Sequence, residues 1–203
     1  MKLYDGGRAP NPRRVRIFLA EKGIEVDLMP VDLGAMEHKG AAYTAINPFQ
    51  RVPSLVLDDG TVISESMAIC RYFEDLKPEP NLFGKPGIEA ALVEMWNRRA
   101  EFHLLGPVQQ VFRHLHPAMK TMEVPQVAEW GEANKPHVAR FLTLLDAELG
   151  KRPFLGGARY TVADITALVA VDLMKPAKLT VPDDLANVKR WYAEVNARPS
   201  SKA

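Results

Sequence analysis

The chain has 203 residues, 47% hydrophobic and 25% charged, with 26 Lys and Arg against 25 Asp and Glu for a net charge of +1. That balance, without a long basic run, gives no electrostatic pull toward nucleic acid; no apolar run reaches the length of a membrane span, and charge at Lys2, Asp5 and Arg8 leaves no N-terminal stretch that reads as a secretory signal. Cys70 is the only cysteine, so no internal disulfide can form, and a reducing, cytoplasmic compartment is the expectation.

Residues 2–5 read as a short strand ended by Gly6-Gly7. Residues 12–22 carry Val15, Phe18, Leu19 and Lys22 at helical spacing, and Gly23 stops that helix. Residues 26–33 alternate as a second strand. Residues 54–57 and 61–63 flank Asp58-Asp59-Gly60 as a hairpin, and 66–76 are helical. With an irregular or helical stretch before the hairpin, this order predicts a small mixed sheet with helices on its faces. Lys77-Pro78-Glu79-Pro80-Asn81 then breaks the pattern as a linker does. Beyond it only helical periodicity is found: 88–116, with Gly106-Pro107 as the expected kink, then 127–150, 164–174 and 185–197. Residues 118–126 read equally as helix or loop. The expectation is an α/β N-terminal domain over 1–80 and an all-α helical domain over 87–203.

Three segments of the first domain bear on chemistry. Arg8-Ala9-Pro10-Asn11-Pro12-Arg13-Arg14 joins strand to helix; Pro12 suits a first helical turn and Asn11 the cap before it. Arg13, Arg14 and Arg16 load the positive end of the helix dipole, at a cost of about 0.3–1 kcal/mol each, so they mark either an anion site or a tolerated surface. In Asn47-Pro48-Phe49-Gln50-Arg51-Val52-Pro53, Pro53 is a candidate cis-proline feeding a strand. A peptide turned out there leaves the Val52 N–H and C=O open to a bound peptide. Ser64-Glu65-Ser66 opens a helix. Ser66 suits a carboxylate and Glu65 an ammonium, which together match an α-amino acid head; a plain helix cap is the alternative.

In this order, followed by an all-helical half, these segments resemble the cytosolic glutathione transferases. The similarity runs over essentially the whole chain and also takes in Ala20-Glu21-Lys22-Gly23, Thr161-Val162-Ala163-Asp164, Arg190-Trp191-Tyr192 and Arg198-Pro199. It implies a thioredoxin-like first domain that holds glutathione as co-substrate, a helical domain that holds a small hydrophobic electrophile, a homodimer, and no metal. It further implies that Val52, presented by cis-Pro53, bonds the cysteinyl part of glutathione, that Glu65 and Ser66 hold the γ-glutamyl group, and that His38, with Lys39 beside it, contacts the glycyl carboxylate. Arg51 stands where many members have glutamine; a cation near two carboxylates is physically sensible there. Trp96, Arg99 and His103 share one face of the first long helix and are implied as electrophile-pocket residues.

The catalytic position departs from the family pattern. Ala9 stands at the serine position of Ser-type members and Asp5 at the tyrosine position of Tyr-type members. Some bacterial members have Thr-Pro-Asn here, so Asn11 is the expected amide donor toward sulfur, with a cap alone as its alternative; Tyr4 is a lesser substitute. Help is needed because a free thiol of pKa ~8.5 is only slightly ionised near neutrality. Lowering it by about two units takes roughly 2.7 kcal/mol, more than one amide usually supplies, and the helix N-terminus with Arg13 or Arg14 is expected to add the remainder. Thr161 and Asp164 form a capping box. Phe49 reads as an aromatic key into a partner subunit or as a residue packed on its own domain, and Cys70 as a small buried hydrophobe. Two other readings stay open: glutathione-dependent disulfide or peroxide reduction, and a non-catalytic scaffold of the same fold.

Overall fold

The computed structural model describes residues 1–203. The chain divides into two compact units, Met1–Asn81 with Pro199–Ala203, and Leu82–Arg198. The last five residues, read in sequence with the helical half, therefore belong to the first unit. There Arg13 donates to the Ser201 carbonyl at 2.7 Å, and the Ser200 hydroxyl bonds the Glu21 carboxylate.

The first unit is a four-stranded sheet in the order β2-β1-β3-β4: β1 is Lys2–Asp5, β2 Asp27–Pro30, β3 Ser54–Val56 and β4 Val62–Ser64. Strand β2 is shorter than the alternation suggested. It runs parallel to β1, and the other two pairings are antiparallel. Helices α1 (Pro10–Lys22) and α3 (Ser66–Leu76) pack together. Val15, Ile17, Phe18, Ile69 and Phe73 are buried along them, with Leu3 and Leu55 from the sheet; each such side chain contributes about 1.5–3 kcal/mol when fully removed from water. Short α2 (Ala41–Ile46) fills the stretch before the hairpin.

Helix α1 begins two residues earlier than its sequence suggested. Ala9 occupies the cap position without a side-chain bond, and Asn11 lies inside the first turn. At the other end Gly23, at φ 58°, closes the helix in the left-handed region as expected. Lys22 lies on the apolar side and is 1% exposed. Its ammonium donates to the carbonyls of Lys77, Pro78 and Pro80 at 2.7–3.0 Å and pairs with Glu74 at 2.5 Å. A buried lysine must be paired in this way, and its bonds tie the proline-rich stretch to α1.

The second unit is helical: α4 (Ile88–Ala100), α5 (Gly106–Leu115), α6 (Ala128–Leu149), α7 (Val162–Met174) and α8 (Ala186–Asn196). A wide π turn over Glu101–Leu105 joins α4 to α5. The irregularity expected at Gly106-Pro107 is thus taken up one turn earlier, where Gly106 donates to the Glu101 carbonyl and the proline lacks an N–H to continue the regular ladder. Residues 118–126 hold only a 3₁₀ turn, Pro117–Met119, before a loop. Helix α7 is apolar nearly all round and almost wholly buried. Asp164 at its start closes the expected capping box with Thr161, accepting the Thr161 N–H at 2.9 Å.

Candidate functional site

Register brings the three chemistry-bearing segments to one end of the sheet. Tyr4 faces Ser54 across β1 and β3, and Ser54 faces Ser64 across β3 and β4. The chain leaving β1 toward Asn11, the chain entering β3 through Val52, and the chain leaving β4 toward Ser66 therefore share that end.

The segment before β3 is held by a polar cluster. The Tyr43 hydroxyl donates to the Arg51 carbonyl at 2.6 Å and lies 2.9 Å from the Ser54 hydroxyl. The Asn47 amide donates to the same carbonyl at 2.8 Å and to Ser54 at 3.2 Å, while its oxygen accepts the Phe49 N–H at 3.0 Å. Burial pushes the Tyr43 phenol up from its ordinary pKa, so it stays a donor. The Val52–Pro53 bond is cis, as the sequence pointed to. Neither the Val52 N–H nor its C=O has a partner within the chain. Gly6 abuts this peptide: a Cβ there would lie 2.6 Å from Val52 Cγ2.

At the start of α3, Glu65 occupies φ 68°, ψ 116°, a region a side chain enters at a cost of about 1–3 kcal/mol. Its carboxylate is exposed and unpaired, and Ser66 behind it is buried. The Ser66 hydroxyl accepts from Arg14 Nη2 at 2.8 Å, and the same nitrogen donates to Asn11 Oδ1 at 3.1 Å. A guanidinium only donates, so this bond fixes which way the Asn11 amide lies and leaves its NH2 without a partner. The three arginines divide their tasks: Arg16 pairs with Asp5 and donates to the Gly7 carbonyl at 2.9 Å, Arg13 is spent on Ser201, and Arg14 alone touches Asn11 and Ser66.

His38 is buried with an unpartnered Nδ1. Burial lowers its pKa, and the positive charges of Lys39 and Arg51 lower it further, so the imidazole is neutral near pH 7. Both cations are exposed and neither has a side-chain bond of its own. Lys39 and Arg51 thus form an electropositive pair beside a neutral His38.

In the helical unit, Trp96, Arg99 and His103 line one cleft of about 530 Å³ between α4 and α6, together with Phe141, His137 and Leu144. Trp96 is 2% exposed, with the guanidinium groups of Arg99 and Arg152 over its ring at 4.8 and 4.6 Å. It is the covered floor, while Arg99 and His103 form the exposed wall. Cys70 is fully buried and its thiol is pushed up to about 12 by burial, which removes it from nucleophilic chemistry.

Tyr43, Asn47 and Ser54 were not singled out individually as site residues from sequence, and Arg14 was named there only with Arg13 as a cation near the thiolate, not as the partner of Ser66. Tyr43 and Arg14 act over 8 and 52 positions of sequence, and no local pattern marks such pairs. Lys22, by contrast, carried a signal, a charge on the apolar side of a helix.

The sheet order, the cis-proline turn and the helices on the sheet make the first unit thioredoxin-like, and a helical unit follows it. That is the architecture of the glutathione transferases. Sequence profiles agree: "Glutathione S-transferase, N-terminal domain" matches residues 9–76 and "Glutathione S-transferase, C-terminal domain" residues 100–199. Glutathione S-transferase 2 of Saccharomyces cerevisiae is 37% identical over 100% of this chain and 88% of its own length. Glutathione S-transferase F13 of Arabidopsis thaliana is 32% identical over 98% and 92%. Among solved structures, a glutathione S-transferase domain-containing protein from Marinobacter aquaeolei superimposes with a TM-score of 0.95 at 39% identity, covering 98% of this chain and 99% of that one. The chain belongs to the glutathione S-transferase family.

Proposed function

We propose that the chain is a cytoplasmic, homodimeric glutathione transferase that adds the thiolate of reduced glutathione to small hydrophobic electrophiles. The observation that carries the reading is the set of open polar groups at one end of the sheet. Val52 offers an N–H and a C=O to the cysteinyl backbone. Glu65 and Ser66 offer an anion and a hydroxyl with a helix N-terminus to the γ-glutamyl ammonium and carboxylate. Lys39 and Arg51 offer positive field to the glycyl carboxylate, and neutral His38 offers an unpartnered ring nitrogen beside them. The Asn11 NH2 is left to donate to sulfur. In this mechanism the thiol proton leaves to solvent, the Asn11 amide and the dipole of α1 favour the thiolate over the thiol, and sulfur bonds the electrophilic carbon as the leaving group departs. With Cys70 buried, the chain brings no accessible thiol of its own to glutathione, which favours addition over disulfide exchange. Exposed Phe49, 76% accessible, suits the aromatic contact of a dimer.

The test is calorimetric titration of reduced glutathione into the wild type and into Glu65→Ala/Ser66→Ala, with conjugation of 1-chloro-2,4-dinitrobenzene followed in parallel for Asn11→Ala. Saturable wild-type binding that weakens at least about tenfold in the double variant is expected, since a hydrogen bond to a charged group is worth about 1.5–3 kcal/mol. No wild-type binding at millimolar glutathione defeats the reading and leaves a scaffold.

A further inference from the structure

The cleft between α4 and α6 is apolar at its floor and positive at its rim. Trp96 and Phe141 are buried beneath it, and Phe102 and Leu144, 64% and 48% exposed, extend the apolar surface toward solvent. The wide turn over Glu101–Leu105 carries Phe102 and His103 to the cleft, and such turns recur at functional sites. Arg99 and His103 stand on one side, His137 and Arg140 on the other.

The charge of this rim is not balanced within the helical unit. Arg99 rests on the Trp96 ring and lies within ion-pair distance of no carboxylate. Arg140 reaches only the His137 ring nitrogen, at 3.4 Å. The one acid at the cleft, Glu148, is already paired with Lys151 and Arg152 at 2.9 and 2.7 Å. Glu94 and Glu101 both go to Arg98, at 2.7 and 2.6 Å, and Glu132 goes to Lys135 at 2.8 Å. These acids are spent, and two unpaired guanidinium groups remain beside an apolar floor. A second copy of the chain would bring the same positive charge to this cleft, so charge complementarity favours a small anion over self-association.

We infer that the cleft selects electrophiles with an apolar body and an anionic end, a carboxylate or sulfonate taken up by Arg99 and Arg140. The inference rests on the transferase reading and narrows its substrate class. The floor takes the body by burial, which serves acid and neutral analogue alike. The guanidinium forks match the planar carboxylate and distinguish the two. The selectivity therefore lies in a ratio of kcat/KM values.

The experiment follows conjugation of reduced glutathione with 4-chloro-3,5-dinitrobenzoate and with its methyl ester. In both, sulfur bonds the ring carbon that loses chloride, and the acid keeps its carboxylate in the product. Each kcat/KM is divided by the uncatalysed rate constant, which removes the electronic difference between the two compounds. The wild type is expected to favour the acid at least about threefold, and Arg99→Gln/Arg140→Gln to lower that preference about five- to tenfold. Both rates are read on the same protein, so a change in stability cancels from the ratio. If the variant does not fold, salt decides: the wild-type preference should fall as ionic strength rises from about 20 to about 500 mM, because exposed charges are screened. A wild type without preference for the acid, or a preference untouched by the folded variant, overturns the inference and leaves the transferase reading intact. So does a preference unmoved by salt where the variant does not fold. Failure to conjugate either compound or 1-chloro-2,4-dinitrobenzene overturns both.

Discussion

Each unit contains a buried polar cluster, and the two differ in what they leave unspent. In the helical unit Asp164, fully buried, accepts the Leu155 N–H at 2.9 Å and the Trp191 indole N–H at 2.9 Å on one oxygen, and the Thr161 N–H and hydroxyl at 2.9 and 3.0 Å on the other. Four donors meet one carboxylate and close the cluster upon itself. In the first unit the Tyr43–Asn47–Ser54 cluster is closed as well, yet it serves a peptide, Val52, whose N–H and C=O are both open. Around it the buried His38 Nδ1 is also open. Because buried polar groups are ordinarily paired, the closed cluster reads as architecture, and under the proposed function the open groups around Val52 are those that glutathione would pair. Loss of the first should be read as stability, and loss of the second as affinity.

The largest expected effect breaks the closed cluster. Asp164→Asn turns one acceptor oxygen into a donor that faces existing donors, and a stability loss of about 2–4 kcal/mol by denaturant unfolding is expected. pH sharpens the point. Burial raises the Asp164 carboxyl to about 6, against its four stabilising donors. Between about pH 4 and 6 the native state therefore keeps a proton that the unfolded chain has shed. This contribution is fully present below pH 4 and is lost as pH rises through 6. The wild-type advantage over Asp164→Asn should accordingly narrow from pH 4 to pH 7, by at most about 3 kcal/mol. An advantage that widens over that range would refute the assignment of the shift to Asp164.

A middle effect tests the open side. Gly6→Ala puts a Cβ 2.6 Å from Val52 Cγ2 and 3.1 Å from Leu33 Cδ1. One of them must move, at about 1–3 kcal/mol. If Val52 is the peptide that pairs with glutathione, affinity should fall at least severalfold by calorimetry, out of proportion to the fall in Tm. A loss of Tm with unchanged affinity would mean that Leu33 yields and Val52 stays in place.

The same distinction explains what could be read from the sequence. Gly23, the turn ahead of Pro53, the hairpin around Asp58-Asp59-Gly60 and the Thr161–Asp164 box are encoded within a few residues, so composition and spacing reach them. The cis turn at Val52-Pro53 and the helix start at Ser66 were legible for the same reason, since each is encoded within a few residues. The groups that support them were not. Arg14 meets Ser66 from another helix, Tyr43 meets the Arg51 carbonyl only after α2 has packed, and Asn11 moved from cap to first turn because Pro10 starts α1. The cleft between α4 and α6 is harder still. Its walls come from residues some forty positions apart, with exposed side chains whose pattern is that of any solvated helix face.

The smallest expected effect separates holding a peptide from binding a ligand. Tyr43→Phe removes one donor from the Arg51 carbonyl and one neighbour from the Ser54 hydroxyl, but the Asn47 amide still reaches both, at 2.8 and 3.2 Å. Every buried acceptor keeps a donor, but the buried Ser54 hydroxyl loses the acceptor for its own proton, so stability should fall toward the low end of about 1–3 kcal/mol. The Arg51-Val52 peptide, however, is then held from one side only, and the alignment of the Val52 N–H and C=O relaxes. Glutathione affinity should drop about two- to fivefold, with the change carried by the dissociation rate as for most site variants. An equal drop in Asn47→Ala would show that the two donors act as one support. A much larger drop there would locate the support in Asn47, which also fixes the Phe49 N–H and so shapes the turn on which Phe49 stands exposed.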